Sequence, residues 1–493
     1  MRPRPSHAHQ ARELLAWALA PTVSPGHYRL RYLAPLLALH IGPPIVSSPS
    51  LAAPESQQAH PPLAVELEGV LARTNTLHEG LLRLLKRHPL LAFAVLGWMF
   101  KGPAFLRAEV ARRVELDVTR LPYDEALVAH LREEKARGRR LVLATVADQR
   151  VAEAVAAHLG LFDAVHGSDG TQVLSGARRE ARLREAGGEG FEEARPSGTS
   201  VLGPRALIKA LRVHQWAKNV LVFVSLLAAH KAQSLPMLLQ AVLGFISFSL
   251  CASSVYVLND LLDLDSDRKH PTKRRRPFAS GALSVRTGLL LAPVLLGSGV
   301  AVALLLPRAC LALLATYYVI TVAYSFHLKQ VVMLDVLLLA GLYTVRIFGG
   351  SLAVGVPTSS WLLTFSMFLF LSLALVKRLS EVRRLRLANE AGAPGRGYVA
   401  GDYEQLAMLG VSSGYLSVLV LALYITSKEV TVLYLHPERL WLLCPVMMYW
   451  VGRVWLLAHR GQVNEDPVIF ALKDKVSYAV GLLAAGVLLA AAY

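Results

Sequence analysis

Charge is what this sequence has least of. Only 18% of its 493 residues are Asp, Glu, Lys or Arg, against 54% apolar, where a soluble domain carries about 25% charged residues. That scarcity excludes a disordered chain, and the excess of apolar residues is that of a membrane protein. Cysteine is nearly absent. Cys251, Cys310 and Cys444 lie far apart inside apolar runs, which excludes both a disulfide framework and a cysteine zinc site. Acids are scarcer than bases, 35 against 52, for a net charge of +17. The excess falls in short loops between apolar runs, the pattern of cytoplasmic membrane loops, so no nucleic-acid partner is expected.

The apolar text is unevenly spread. Residues 1–60 are rich in Pro, Ala, His and Arg, and the apolar stretch Leu30–Ala53 is broken by Arg31 and by prolines at 35, 43, 44 and 49. It reads as a disordered leader, or as sequence upstream of the true start, and lacks the unbroken core of a signal peptide. Residues 61–195 have soluble α/β text. Leu63–Leu67 reads as a strand leading into a turn at Glu68-Gly69-Val70, and Leu141–Thr145 as a second strand. Tyr123–Arg137 and Val151–Leu159 have helical spacing. Leu90–Phe100 is almost purely apolar but only 11 residues long. That is too short to cross a bilayer, so a buried or membrane-apposed helix is expected. Residues 196–204 form a linker.

From 205 to 493 the chain reads as an all-α membrane bundle with nine candidate spans, near 217–230, 235–258, 284–306, 308–326, 330–350, 359–377, 406–427, 440–459 and 476–493. The loops 203–218, 259–283, 326–330, 377–405 and 459–475 hold 20 Lys and Arg; the loops on the other side hold four. The positive-inside rule puts the rich set, and with it the soluble domain, in the cytoplasm, for a multi-pass protein of the inner membrane.

The chemistry concentrates after the second candidate span, in Asn259-Asp260-Leu-Leu-Asp263-Leu-Asp265-Ser-Asp267, followed by Arg268, Lys269, Lys273, Arg274, Arg275 and Arg276. On a helix Asp260, Asp263 and Asp267 share one face, with Asp265 turned away. Three carboxylates on one face repel, and a cation offsets that. Oxygen-only donors suit a hard ion, and Mg²⁺ held together with a substrate phosphate is the usual solution. The bases that follow offer a docking surface for phosphates. The plainer alternative is a solvated loop of mixed charge. Against it stand the helical register of the acids and the segregation of acids from bases.

The pattern N-D-x-x-D-x-x-x-D followed by K-x-x-R-P-x-x-S-G, from Lys273 to Gly281, resembles the first aspartate-rich motif of the UbiA superfamily of membrane prenyltransferases, and the similarity extends from about residue 203 to the end. The resemblance implies a nine-helix fold and Mg²⁺-dependent transfer involving a polyprenyl lipid and a phosphorylated donor, in a lipid-accessible pocket facing the cytoplasm. It assigns Asn259, Asp260, Asp263 and Asp267 to the metal, the three aspartates being catalytic, with Lys273 and Arg276 clamping phosphates. Further stretches resemble one branch, the decaprenyl-phosphate phosphoribosyltransferases. They are Leu211-Arg212-Val-His-Gln215-Trp216-Ala-Lys218-Asn219, Tyr324-Ser325 through Leu328-Lys329 with Leu334-Asp335, Val376-Lys377-Arg378 with Glu381, and Asp466-Pro467-Val468 through Asp474. They add Lys218, Tyr324, Lys329, Asp335, Lys377 and Arg378 as substrate-binding candidates.

One departure bears on the donor. Typical members carry a second acidic cluster, whereas this chain has Asp335, Leu339 where a second Asp would fall, and no further acid until Glu381. A lone Asp335 near Lys329 and Arg346 favours a sugar-diphosphate donor over a prenyl diphosphate. Arg346 lies mid-span, where an unpaired cation is costly, and Asp335 about three turns away is its candidate partner. Lys377 and Arg378 end a span and also suit anchoring, as Tyr324 suits an interfacial aromatic.

In the soluble domain, Glu66-Leu67-Glu68-Gly69-Val70-Leu71 resembles the D-x-D-G-T-L motif of haloacid dehalogenase-like (HAD-like) phosphatases, with Thr145 and Arg179 at further motif positions. The terminal acidic pair is missing, only Glu189, Glu192 and Glu193 being near, and Glu66 is one methylene too long for a site built around Asp. A degenerate, catalytically silent domain is expected. Three functions follow: phosphoribosyl transfer from phosphoribosyl diphosphate to a polyprenyl phosphate, prenyl transfer from a polyprenyl diphosphate to an aromatic or other acceptor, and a non-catalytic lipid-binding membrane protein. Oligomeric state is not legible.

Overall fold

The computed structural model describes residues 60–187, 190–197, 203–389, 397–463, 467–471 and 473–493. The expected leader, the centre of the linker, Glu189 and Asp466 lie outside these. Residues 59–493 form one compact unit.

Its first layer is a parallel sheet in the order β3-β2-β1-β4, with β1 Leu63–Val65, β2 Leu141–Asp148, β3 Ala164–Ser168 and β4 Glu192–Glu193. Around it lie α1 Thr76–Arg87, α2 Leu91–Phe100, α3 Pro103–Arg113, α4 Glu125–Ala136, α5 Gln149–Leu159 and α6 Gly176–Gly187. Both expected strands and both expected helices are present. The strands are apolar on successive residues because both faces of a parallel sheet are covered. Asn75, Asp124 and Asp148 cap α1, α4 and α5 through their side-chain oxygens.

The second layer is helical: α7 Pro204–Leu211, α8 Val224–Ala228, α9 Leu235–Leu262, α10 Leu264–Lys269, α11 Val285–Ala303, α12 Arg308–Phe326, α13 Leu334–Val354, α14 Ser360–Leu387, α15 Tyr403–Ile425, α16 Lys428–Leu433, α17 Leu443–His459, α18 Pro467–Ala471 and α19 Lys475–Ala492. Among the described residues, eight helices are long and apolar enough to cross a membrane, each matching an expected span. The expected span at 217–230 is not such a helix. Val213–Phe223 is a 3₁₀ segment running into the short α8. It lies antiparallel to α9: Trp216 Nε1 donates to Ser253 Oγ (2.9 Å), Asn219 Nδ2 to Ser249 Oγ (3.0 Å), and Leu226 packs on Ala241. A 3₁₀ segment climbs about 2.0 Å per residue, so these few residues follow α9 from Ser253 to Ala241. The segment presses on α13 at Gly350, where a Cβ would collide with the Val222 carbonyl oxygen.

The two layers meet along α1 and the loop after α9. Glu79 takes two bonds from Arg268 (2.6 and 2.8 Å), Arg83 grips Asp265 with two nitrogens, and Lys86 Nζ donates to Asp263 Oδ1 (2.9 Å) and the Leu262 carbonyl (2.7 Å). Gly281, at φ +73°, sits against Arg73, where any Cβ would be 2.6 Å from the Arg73 Cβ. The acidic part of the loop is in large part covered, against the plainer alternative of a solvated loop, while residues 271–275 are exposed.

Candidate active site

α9 breaks at Asp263, which has φ −102° and ψ 13°, and the chain restarts as α10. The three carboxylates stay neighbours across the break, one Arg276 nitrogen holding both Asp260 and Asp267. Asn259, Asp260 and Asp263 line a cavity of about 370 Å³ between α9, α12, α13 and α14, and Asp267 does not. Asp267 is buried behind them, held by Arg276 Nη1 at 2.6 Å. Burial raises its carboxyl above the usual range, against the opposing pull of Arg276. Among the described residues no three His, Cys, Asp or Glu side chains gather closely enough to cage a metal. Mg²⁺ needs no such cage: it commonly takes one or two carboxylates plus substrate phosphates. The oxygen donors of Asn259, Asp260 and Asp263 fit that requirement.

Both cavity carboxylates carry cationic partners. Asp260 is held by Arg212 and, at 3.1 Å, by Arg276; Asp263 is held by Lys86 and, at 3.6 Å, by Lys329. Burial acts to raise the Asp263 carboxyl, but Lys329 and Lys86 more than offset it and hold it below the ordinary carboxylate range. Arg212 ends α7 in the left-handed region, φ 51°, a conformation that costs a non-glycine residue on the order of 1 kcal/mol. There its guanidinium lies 5.3 Å over the Tyr256 ring.

Of the expected substrate-binding side chains, Lys218, Lys273, Arg276, Tyr324, Lys329, Arg346 and Lys377 line the cavity, whereas Asp335 and Arg378 do not. Successive residues on a helix point about 100° apart, so with Lys377 facing the cavity Arg378 faces away. Arg378 Nε pairs with Asp335 Oδ2 at 2.7 Å, both fully buried, and Tyr398 donates to Asp335 Oδ1 at 2.6 Å. This pair ties α13 to α14. It also corrects the expected Asp335–Arg346 pairing.

Arg346 instead donates to Asn219 Oδ1 (2.7 Å), the Tyr317 hydroxyl (3.0 Å) and the Leu342 carbonyl. Its guanidinium carbon lies 5.2 and 5.4 Å from the Tyr317 and Tyr343 ring centroids. These acceptors are neutral, so Arg346 keeps its full charge for an anion inside the cavity. Sequence reasoning quoted Arg212 and Gln215 only within a motif and missed Tyr256, Tyr317 and Tyr343 at the cavity wall. Tyr343, one turn before Arg346, was the legible one. Asp474, at the end of the last quoted motif, is structural: it pairs with Arg453 at 2.6 Å and caps α19.

The positions that resemble the HAD-like motif also come together, just after β1 and beside the middle of β2. Thr145 Oγ1 donates to Glu66, the Glu68 amide donates to Glu66 Oε1 (3.2 Å), and Arg179 Nε lies 3.8 Å from Glu66 Oε2. Glu68 accepts from Asn75 Nδ2 (2.6 Å) and the Thr76 amide (2.9 Å), with Arg107 at 3.3 Å. The hollow nearby, lined by Thr76, Arg107 and Asp148, measures about 10 Å³, room for about one water.

Comparison with known proteins places this arrangement in a family. Residues 220–473 match the UbiA prenyltransferase family model. The protein y4nM of Sinorhizobium fredii is 34% identical over 86% of this chain and 90% of its own length. Nodulation protein NoeC of Azorhizobium caulinodans is 38% identical over 54% of this chain and 86% of its own. The decaprenyl-phosphate phosphoribosyltransferase of Mycobacterium tuberculosis is 35% identical over 38% of this chain and 62% of its own. Among solved structures, a UbiA homologue from Archaeoglobus fulgidus bound to DMAPP and Mg²⁺ is similar over 57% of this chain and 95% of its own, with 17% identity and a TM-score of 0.44. This chain belongs to the UbiA prenyltransferase family and is a multi-pass membrane transferase.

Proposed function

We propose that this transferase moves 5-phosphoribose from phosphoribosyl diphosphate to a polyprenyl phosphate. The observation that carries the reading is the charge of the cavity. Seven cationic side chains, Arg212, Lys218, Lys273, Arg276, Lys329, Arg346 and Lys377, face it against two carboxylates, Asp260 and Asp263. The cations are also spread in depth. Lys273, Arg276 and Lys329 lie at the loop end with the carboxylates. Arg346 is twelve residues into α13, which is about 18 Å of helix. A donor with phosphates at both ends suits that spread better than a prenyl diphosphate, whose charge sits at one end. The name of the M. tuberculosis relative supports the same reading.

In this mechanism Lys273, Arg276 and Arg212 hold the departing diphosphate beside Asn259, Asp260 and Asp263. Arg346 and Lys218 take the remaining phosphate charge. A divalent ion on those three oxygen donors, when bound, supplies charge neutralisation to the leaving group. The anomeric C–O bond to diphosphate breaks, and an oxygen of the lipid phosphate forms the new bond. That phosphate is already anionic near neutral pH, so no strong general base is needed. Ala252, Val255, Leu339, Leu342, Leu373 and Ala374 supply apolar wall for the first isoprene units. The loop carrying Lys273 to Arg276 is among the Lys- and Arg-rich ones, which supports a cytoplasmic mouth in the inner membrane. Residues 61–195 are, in this reading, a catalytically silent HAD-like domain joined to the bundle by residues 196–204.

The test is substrate choice. Membranes containing the protein are offered labelled phosphoribosyl diphosphate with a polyprenyl phosphate, and separately labelled farnesyl diphosphate with an aromatic acceptor. Label entering the lipid fraction only from the ribosyl donor is the expected result. Prenyl transfer with no use of the ribosyl donor overturns it.

A further inference from the structure

The helix α2 (Leu91–Phe100) has no polar face. Its Leu91, Ala94, Val95 and Trp98 side pack with α1 and α3, in a cluster with Leu84, Leu106 and Val110. The opposite side is just as apolar and faces outward: Phe93 is 78% exposed, Leu96 55%, Met99 58% and Phe100 92%, with Leu90 just ahead at 82%. A helix apolar all round belongs in a core or in lipid. Among the described residues, no other helix of the α/β layer leaves such a run of large apolar side chains uncovered.

The contacts of α1 fix where α2 lies. Glu79, Arg83 and Lys86 meet Arg268, Asp265 and then Asp263 with the Leu262 carbonyl, so α1 runs opposite in direction to the segment leaving α9. That segment leads away from the end of a membrane span, and α1 therefore leads toward it. Leu82 of α1 reaches the bundle's own core, beside Val257, Leu261 and Val285. Four residues separate Lys86 from Leu91, so the five Cα steps reach at most about 17 Å. Arg87 and Lys101, both exposed, flank α2 at its two ends. Cations beside an apolar face match the phosphate layer of an anionic leaflet.

We infer that α2 lies in the plane of the bilayer surface, with Phe93, Leu96 and Phe100 immersed among acyl chains beside the cytoplasmic end of α9, anchoring the α/β layer to the membrane. The occupant of this face is lipid, a continuation of the boundary already set by the spans. The assignment is independent of the transferred group.

A nitroxide placed at position 93 tests it. The full chain, with its three cysteines replaced by alanine and Phe93→Cys introduced, is spin-labelled and reconstituted in nanodiscs of phosphatidylcholine and phosphatidylglycerol. Arg182→Cys, on the water-facing side of α6, serves as control. Position 93 should be relaxed more by oxygen than by a nickel chelate, and position 182 the reverse. Because Phe93 is 78% exposed, the label itself displaces no packing. A label at 93 as open to the nickel chelate as that at 182 overturns the inference. So does protection from both reagents with spin–spin broadening that vanishes on dilution with unlabelled protein, which would make a second copy the occupant. Protection from both without broadening, as for a label covered by the chain itself, overturns it equally.

Discussion

Two places in this molecule gather acids, a threonine or tyrosine and arginines at the end of a structural element, and only one has anything left to offer. In the bundle cavity, seven cations face two carboxylates across about 370 Å³. Just after β1 and beside the middle of β2, Glu66 and Glu68 are already engaged by Thr145, Arg179, Asn75, Thr76 and Arg107, and the hollow beside them takes about one water. The residue types are similar. What separates a candidate site from a self-satisfied polar core here is room and an imbalance of charge: both sets of groups have internal partners, but seven cations against two acids leave the cavity net positive.

The sharpest way to break this comparison is at Asp260. Asp260→Asn keeps the shape and leaves Arg212 and Arg276 in place, and transfer should fall by about 10²–10³-fold, the usual cost of losing one electrostatic group at a reacting centre. Activity in membranes containing variant of parental abundance decides it, and activity within a few-fold of parent would remove Asp260 from the site. Next come the neighbours Lys377 and Arg378. Lys377→Ala should raise the donor KM about tenfold with the protein as stable as before, since it loses one cavity cation. Arg378→Ala should instead cost about 3–5 kcal/mol of stability by stranding the buried Asp335 carboxylate. A Tm measured beside donor titrations separates the two.

Smaller effects are expected in the α/β layer. Burial raises the Glu66 carboxyl, against the bond from Thr145, the Glu68 amide and the charge of Arg179. The folded state therefore holds that proton more tightly than the unfolded one, and the carboxylate form loses stability as pH rises from the ordinary Glu value through the raised one. Glu66→Gln removes that loss, so its Tm should equal or exceed the parent's at pH 7 and the difference should shrink toward pH 4. A Tm that falls at neutral pH would mean the charge on Glu66 is needed. Transfer by the same variant should stay within a few-fold of parent, measured with the substrates that serve the wild type. A phosphatase activity lost in Glu66→Gln would erase the contrast between the two regions.

Much of the site was legible as residue type and approximate place. Asp260, Asp263, Lys273, Arg276 and Lys329 stand out because charge beside a membrane span is costly and so informative, and Asn259 only as the first residue of the motif they share. Eight spans follow from the length of apolar runs, as lipid leaves the backbone no other partner than itself. The 3₁₀ segment near 217–230 could not be read from local spacing, because it is held by bonds to Ser249 and Ser253 on α9. Periodicity groups Asp267 with Asp260 and Asp263, and the structure keeps it beside Asp260 on the same Arg276 nitrogen; that it sits behind the cavity wall depends on a helix break at Asp263, which leaves no mark in local spacing.

The sequence by itself therefore determined the eight long apolar spans and the residues rich enough in charge to do chemistry, because these depend on local hydropathy and composition. Only the tertiary structure decided which charges cancel. Arg378 is shared by Glu381 one turn on and by Asp335, 43 residues away in sequence, Arg346 is left with neutral acceptors, and Lys86 from the other layer reaches Asp263. Pairing over such separations depends on which helices touch, and the Coulomb interaction that makes a charge available or spent falls off over distances shorter than a helix is long.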